Sequence, residues 1–196
     1  MFPASSPATL NWYLNLRGTR ACFRKKLALN SDWTETRIMS GAVDVYLGLG
    51  SNQGNRRENI DSALSMLDSN EKIHVDKVSD IIETEPWGFA AEQNFLNCVA
   101  RVQVEKTLTP EEMLDVCKGI EKNLGREENI EFGPDGKRVY HSRPIDIDIL
   151  LFGNERVHSG RLDIPHPLMG ERDFVMIPLR QVETEELRVA FPELPL

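Results

Sequence analysis

Asp146 and Asp148 stand two positions apart in Pro144-Ile-Asp-Ile-Asp-Ile-Leu-Leu151, flanked by branched apolar residues. On a strand, alternate side chains share a face, so Ile145, Ile147 and Ile149 point one way and both carboxylates the other. Their Cα atoms then lie about 6–7 Å apart, which lets both carboxylates converge on one or two hard cations with room for phosphate oxygens. A strand face whose acids are merely solvated has the same pattern. The cations nearby narrow the choice, since Arg126 and Arg143 precede the strand while His166 and Arg172 follow it. Magnesium held by carboxylates, with Arg and His beside it, is what phosphoryl transfer needs, because positioning and positive charge stabilise its transition state. His166 has no His or Cys at ligand spacing, so it is either a phosphate contact or a structural hydrogen-bonding group.

Trp87, Phe89, Phe95 and Phe174 offer flat faces to a heterocycle whose edge Asn97 would read, or else are ordinary core aromatics. Gly48-x-Gly50-Ser-Asn-x-Gly54 follows a strand and precedes a helix, as a dinucleotide loop does. Gln53 occupies the place of the third glycine, and no G-x-x-x-x-G-K-[S/T] occurs, so a dinucleotide oxidoreductase is disfavoured and these read as tight-turn glycines. A ligand-sensing module, the non-enzymatic alternative, has no use for a magnesium pair. Cys22, Cys98 and Cys117 form an odd set without C-x-x-C, which argues against structural zinc and a disulfide framework. They read as buried, inert thiols of a protein in the reducing cytosol.

The elements that must position these residues are legible from Val43 onward. Val43–Leu49 alternates as a strand, Asn55 or a neighbour can cap a helix, and Ile60, Ala63, Leu64 and Leu67 form its buried stripe. Ile73–Ile82 reads as a second strand, ended by Glu85-Pro86-Trp87-Gly88, and Phe95–Val104 as a third. Thr109-Pro110-Glu111-Glu112 predicts a capping box, followed by a stripe of Met113, Val116, Cys117, Ile120 and Leu124 that stops at Gly125. Residues 126–142 are a long polar loop of the kind that often forms a lid. Ile145–Phe152 is a fourth strand, and Glu171–Gln181 a short helix around Pro178. The order β-α-β-β-α-β predicts an α+β, ferredoxin-like sandwich with helices packed on one face of an antiparallel sheet.

The chain has 196 residues, 40% of them hydrophobic, and a formal charge of −8, which disfavours a general nucleic-acid binder. No stretch approaches the roughly 18 apolar residues of a membrane span. Residues 1–42 hold six cations and two anions, whereas the remaining 17 cations and 29 anions leave −12 for residues 43–196. The first segment is expected to be a disordered or non-native extension and residues 43–196 a single catalytic domain.

Taken together, the residues make the chain resemble the 6-hydroxymethyl-7,8-dihydropterin pyrophosphokinases of folate biosynthesis, across about residues 43–182. Five stretches carry the likeness: Gly50-Ser51-Asn52; Thr84-Glu-Pro-Trp-Gly88 with Phe95-Leu-Asn97; Ile120-Glu121 through Gly125-Arg126; Arg143-Pro-Ile-Asp-Ile-Asp-Ile149; and Ile164-Pro-His166 with Arg172-Asp-Phe174. The resemblance implies transfer of pyrophosphate from MgATP to the pterin hydroxymethyl group, with release of AMP. It implies two magnesium ions on Asp146 and Asp148, with Arg143, His166, Arg172 and Arg126 on the phosphates. It further implies Glu121, Arg161, Leu162 and Asp163 on the nucleotide, and Thr84, Pro86, Trp87, Phe95, Asn97 and Phe174 around the pterin. Phe95 and Phe174 would sandwich the ring. Many family members carry a second Arg two places after the one matching Arg126, and an Arg-Trp-Gly-Pro run before the D-x-D strand. This chain has Glu128 and Phe132-Gly-Pro-Asp-Gly-Lys-Arg138 there, which leaves Lys137, Arg138 or His141 to compensate. A cytoplasmic monomer, open to association with other folate enzymes and with no nucleic-acid or membrane partner, is the expected setting.

Overall fold

Helix starts and stops in this chain are set by a few local contacts. Asn55 accepts a hydrogen bond from Glu58 N–H at the start of α1 (Arg56–Asp68). At the start of α2 (Pro110–Asn123), Thr109 Oγ1 accepts from Glu112 N–H at 3.3 Å and Glu112 Oε2 accepts from Thr109 N–H at 2.8 Å. Such a cap is worth about 1 kcal/mol. The computed structural model describes residues 41–86, 92–127, 131–132, 138–139 and 141–196.

Four strands carry the fold: β1 (Val43–Ser51), β2 (Ile73–Val78), β4 (Phe95–Val104) and β7 (Asp146–Phe152). They form an antiparallel sheet in the order β2-β4-β1-β7. Two interleaved β-α-β units give this order, as expected of a ferredoxin-like sandwich. Val45, Leu47, Leu49, Cys98, Ala100, Ile147 and Ile149 pack with Ile60, Leu64 and Leu67 of α1 and Met113, Cys117 and Ile120 of α2 in one core.

The second predicted strand is shorter than expected. Ser79 breaks it, because its Oγ accepts the Val99 N–H at 2.9 Å in place of a backbone carbonyl. Pairing with β4 resumes at β3 (Ile82–Thr84). The polar loop holds a small antiparallel hairpin, β5 (Glu131–Phe132) with β6 (Arg138–Val139), and a second hairpin pairs β8 (Val157–His158) with β9 (Asp163–Ile164).

Helices on one face alone do not describe the sheet. A 3₁₀ turn (Met169–Glu171), α3 (Asp173–Leu179) and α4 (Glu185–Ala190) lie on the other face. Met169, Val175, Met176, Leu179 and Leu187 form a second core there with Tyr46, Val99, Leu150 and Leu151. A bulge between β1 and β7 puts Leu150 and Leu151 into this core while returning Phe152 to the first. The second layer covers only part of its face, and the uncovered part bears the aspartates. Among the described residues no helix is long and apolar enough to cross a membrane.

Candidate active site

The open part of the sheet is built in rows across three strands. Asn97, Gly50 and Asp146 are paired in one row, and Val99, Gly48 and Asp148 in the next. Gly48 and Gly50 therefore lie within β1, and the tight-turn reading is corrected. They form a floor without side chains between Asn97 and the aspartates. A Cβ at Gly50 would stand 2.9 Å from Asn97 Oδ1 and 3.5 Å from the Phe95 ring. Of the three glycines only Gly54, at φ +66°, occupies a turn that needs glycine.

Asp146 is already engaged by cations. Arg126 Nη1 donates to its Oδ1, and Arg143 Nη1 is 3.3 Å from its Oδ2. Burial opposes ionisation of Asp146, but Arg143 and Arg126 outweigh it and hold the carboxyl below its usual range. Asp148 differs: burial first, then the Asp146 charge, push it up to about 7.

Arg126 is delivered by the end of α2. Gly125, at φ +88°, reverses the chain, with Gly125 N–H on Lys122 O and Arg126 N–H on Glu121 O, both at 3.0 Å. The Glu121 carboxylate, 2% exposed, accepts from Arg126 Nη1 at 2.5 Å, from Lys118 Nζ at 2.9 Å and from the Ile147 N–H at 2.7 Å. Ile147 lies between the two aspartates on the edge strand, so Glu121 ties α2 to that edge and holds two cations beside it. Sequence reasoning gave Glu121 a nucleotide contact and missed Lys118. Its position three residues before Glu121, flanking the buried stripe, was the available signal.

Two cavities meet at this point. One of about 310 Å³ is lined by Thr84, Phe95, Asn97, Phe174, Arg172 and Asp146. The other, about 810 Å³, is lined by Glu121, Arg161, Leu162, Asp163 and His141. Lys118, Arg126, Arg143, Asp148 and His166 line both. In the smaller cavity Asn97 Nδ2 donates to Thr84 Oγ1 at 2.8 Å. The Arg143 guanidinium lies 5.8 Å from the centre of the Phe95 ring, and that of Arg172 lies 5.7 Å from Phe174. Pro86 is half-buried and does not line either cavity, whereas its neighbour Glu85 lines the smaller one.

His166 is both structural and exposed to the site. Its N–H donates to Leu150 O at 2.9 Å, and its Nδ1 accepts from Leu168 N–H at 3.3 Å, which leaves the ring proton on Nε2. Burial, then the Arg172 charge, lower its pKa and keep the ring neutral at pH 7. Arg161 is bound to Asp115 at 2.5 Å, and Asp163 to His158 Nδ1 at 2.5 Å. His141 Nε2 lies 3.1 Å from Glu131 Oε2. Trp87, Phe89, Glu128 and Lys137 lie outside the described residues, as does the Arg138 side chain. Cys98 and Cys117 are free and buried, and burial pushes their thiols up to about 12, as expected of inert residues.

Among the described residues no group of three or more Asp, Glu, His or Cys side chains is arranged to hold a metal. Two carboxylates on one strand face suit magnesium, which takes one or two carboxylates and fills its remaining positions with phosphate oxygens and water.

The family model for 7,8-dihydro-6-hydroxymethylpterin-pyrophosphokinase matches residues 46–184. The 2-amino-4-hydroxy-6-hydroxymethyldihydropteridine pyrophosphokinase of Porphyromonas gingivalis is 44% identical over 139 residues, covering 70% of this chain and 89% of that one. The protein of the same name from Aquifex aeolicus is 40% identical over 139 residues, covering 71% and 79%. A crystal structure titled as HPPK-DHPS in complex with substrates matches with a TM-score of 0.52 at 14% identity, over 78% of this chain and 43% of that one, and supports the fold. The matched span runs from the middle of β1 to the start of α4 and takes in every side chain that lines the two cavities, so the chain belongs to the 7,8-dihydro-6-hydroxymethylpterin-pyrophosphokinase family.

Proposed function

We propose that the site transfers a pyrophosphoryl group from ATP to the hydroxymethyl oxygen of 6-hydroxymethyl-7,8-dihydropterin in folate synthesis. The acceptor oxygen gives up its hydroxyl proton to solvent and bonds to the β-phosphorus, the bond from that phosphorus to the α,β-bridging oxygen breaks, and AMP leaves. The observation that carries this reading is the wall common to the two cavities. A bicyclic ring in the smaller and a nucleotide in the larger would bring alcohol and triphosphate together at Asp148, Lys118, Arg126, Arg143 and His166.

In this reading Phe95 and Phe174 hold the pterin ring, while Asn97, oriented by its bond to Thr84, reads the ring edge. The reading also assigns Trp87 and Pro86 to the pterin on the family likeness, Pro86 from outside the cavity lining. Leu162 and Asp163 contact the adenine, with Arg161 and Glu121 also on the nucleotide side. Arg126, Arg143 and Arg172 neutralise phosphate oxygens, and His166, neutral with its proton on Nε2, donates to one. Asp146 and Asp148 hold two magnesium ions with ATP. Magnesium bound there supplies charge neutralisation and alignment of the triphosphate. The chain's own share is alignment, since an in-line approach within about 3–3.5 Å removes much of the barrier.

Incubation with the hydroxymethyl dihydropterin, ATP and magnesium tests the reading. AMP accumulates with the pterin diphosphate; ADP as the product would overturn it. The compact unit begins at Gly41, which supports residues 43–196 as the catalytic domain, with residues 1–42 dispensable for turnover. The same reading makes the protein a cytoplasmic monomer that can associate with other folate enzymes, and sedimentation of the purified chain checks its mass.

A further inference from the structure

Asn52 follows β1 directly, is buried, and lines neither cavity. Its N–H and both polar atoms of its side chain nonetheless turn to one place. Its N–H donates to Arg143 O at 3.2 Å, its Oδ1 accepts from Arg143 N–H at 2.8 Å, and its Nδ2 donates to Ser142 Oγ at 3.1 Å.

The reason lies in the sequence of β7. The ladder between β1 and β7 ends at Gly50 and Asp146, and its next rung would face Asn52 with Pro144, which has no N–H to give. Asn52 replaces that rung by presenting a side-chain carbonyl to the residue before the proline. Pro144 in turn confines Arg143 to extended backbone. With both its backbone polar groups bound and its backbone confined, Arg143 has a fixed Cα. From there its guanidinium reaches Asp146 at 3.3 Å and lies over Phe95.

We propose that Asn52 is a positioning residue for pyrophosphoryl transfer, one that sets Arg143 on the wall common to the two cavities. The proposal rests on the phosphate role given to Arg143. Asn52 touches no substrate and acts through the backbone of a residue 91 positions away.

A double-mutant cycle separates this from a structural tie. Displacement of a cation by about 1 Å lowers turnover on the order of a hundredfold, so Asn52→Ala is expected to reduce kcat by about tenfold to a hundredfold. In an Arg143→Ala background the same substitution is expected to change kcat by less than about twofold, because the two act as one unit. Equal losses in both backgrounds would overturn the proposal. Ser142→Ala, at an exposed position that does not endanger folding, provides a second arm: kcat falls by about threefold with an unaltered melting temperature, and again only while Arg143 is present. No change in kcat for Ser142→Ala, or a loss that persists without Arg143, also counts against Asn52. Full turnover by Arg143→Ala alone would instead remove the phosphate role of Arg143, which is a different failure.

Discussion

One guanidinium bridges Glu121 and Asp146: Arg126 Nη1 donates to Oε1 of the first and Oδ1 of the second. With Arg143 on the other oxygen, Asp146 is neutralised by protein cations before any metal arrives. On the proposed assignment of magnesium to Asp146 and of phosphate to Arg126, the metal competes with Arg126 when nucleotide is absent, whereas phosphate oxygens give Arg126 another partner when ATP is bound. Arg126→Ala should accordingly have opposite effects on the two ligands. Calorimetry without nucleotide should show magnesium binding severalfold tighter than in the parent, while KM for ATP rises by about tenfold, as expected on loss of a charged hydrogen bond. Weaker magnesium binding in the variant would show that Arg126 supports the metal site and does not compete with it.

The paired aspartates make a prediction about pH. Asp148 titrates near 7 in the folded chain and near 4 when unfolded, so the folded state holds the extra proton across that interval. Its contribution to stability is thus lost as pH rises from about 4 to about 7, and the penalty is complete above that. Asp146 is shifted downward and stays ionised throughout the same range. Asp148→Asn should remove the penalty. Without magnesium, its melting temperature should exceed the parent's by more at pH 8 than at pH 5, although turnover falls by at least about a hundredfold. Melting curves that run parallel across the range would refute the shift.

What was legible in the sequence was local. The D-x-D strand needed only a period of two, and the second helix announced itself through Thr109, Pro110, Glu112 and Gly125 within one short stretch. The glycine floor was not legible, because Gly48 and Gly50 look alike in a turn and in a strand, and only register with Asn97 and Asp146 separates the two. The helix read over Glu171–Gln181 is present as α3, but its place on the second face was not legible, since seven residues are too few to establish a helical period, and α4, with six, was not foreseen. The break at Ser79 depends on a hydroxyl replacing a ladder carbonyl, which no hydropathy pattern records. Of the candidate site, most of the charged residues that line the cavities were singled out because their types imply chemistry. Asn52 and Lys118 were given no role, since what distinguishes them is a partner and a place.

The floor beneath the smaller cavity can be tested at Gly50. A methyl group there would meet Asn97 Oδ1 at 2.9 Å, and Asn97 is held from the other side by Thr84. Overpacking of this kind costs about 1–3 kcal/mol and is relieved most readily by displacing the amide. Gly50→Ala should therefore raise KM for the pterin by about tenfold while KM for ATP changes by less than about twofold. Gly48→Ala, whose Cβ would meet Leu150 at an ordinary 3.4 Å, is the milder control. Equal effects on both substrates at Gly50 would mean that the sheet itself had moved.

Lys118 provides the clearest test of the common wall. Its side chain is 40% exposed on α2, so its removal leaves the fold intact, and its ammonium lies 2.9 Å from a Glu121 oxygen at the junction of the cavities. On the proposed arrangement a cation placed there acts on the triphosphate and not on the ring. Lys118→Met, which keeps much of the apolar stem and drops the charge, should raise KM for ATP by about tenfold at low salt and by less at high salt. Binding of the pterin alone, followed by its fluorescence, should be unchanged. Loss of affinity for the pterin in place of ATP would move Lys118, and the phosphate chain with it, out of the arrangement described.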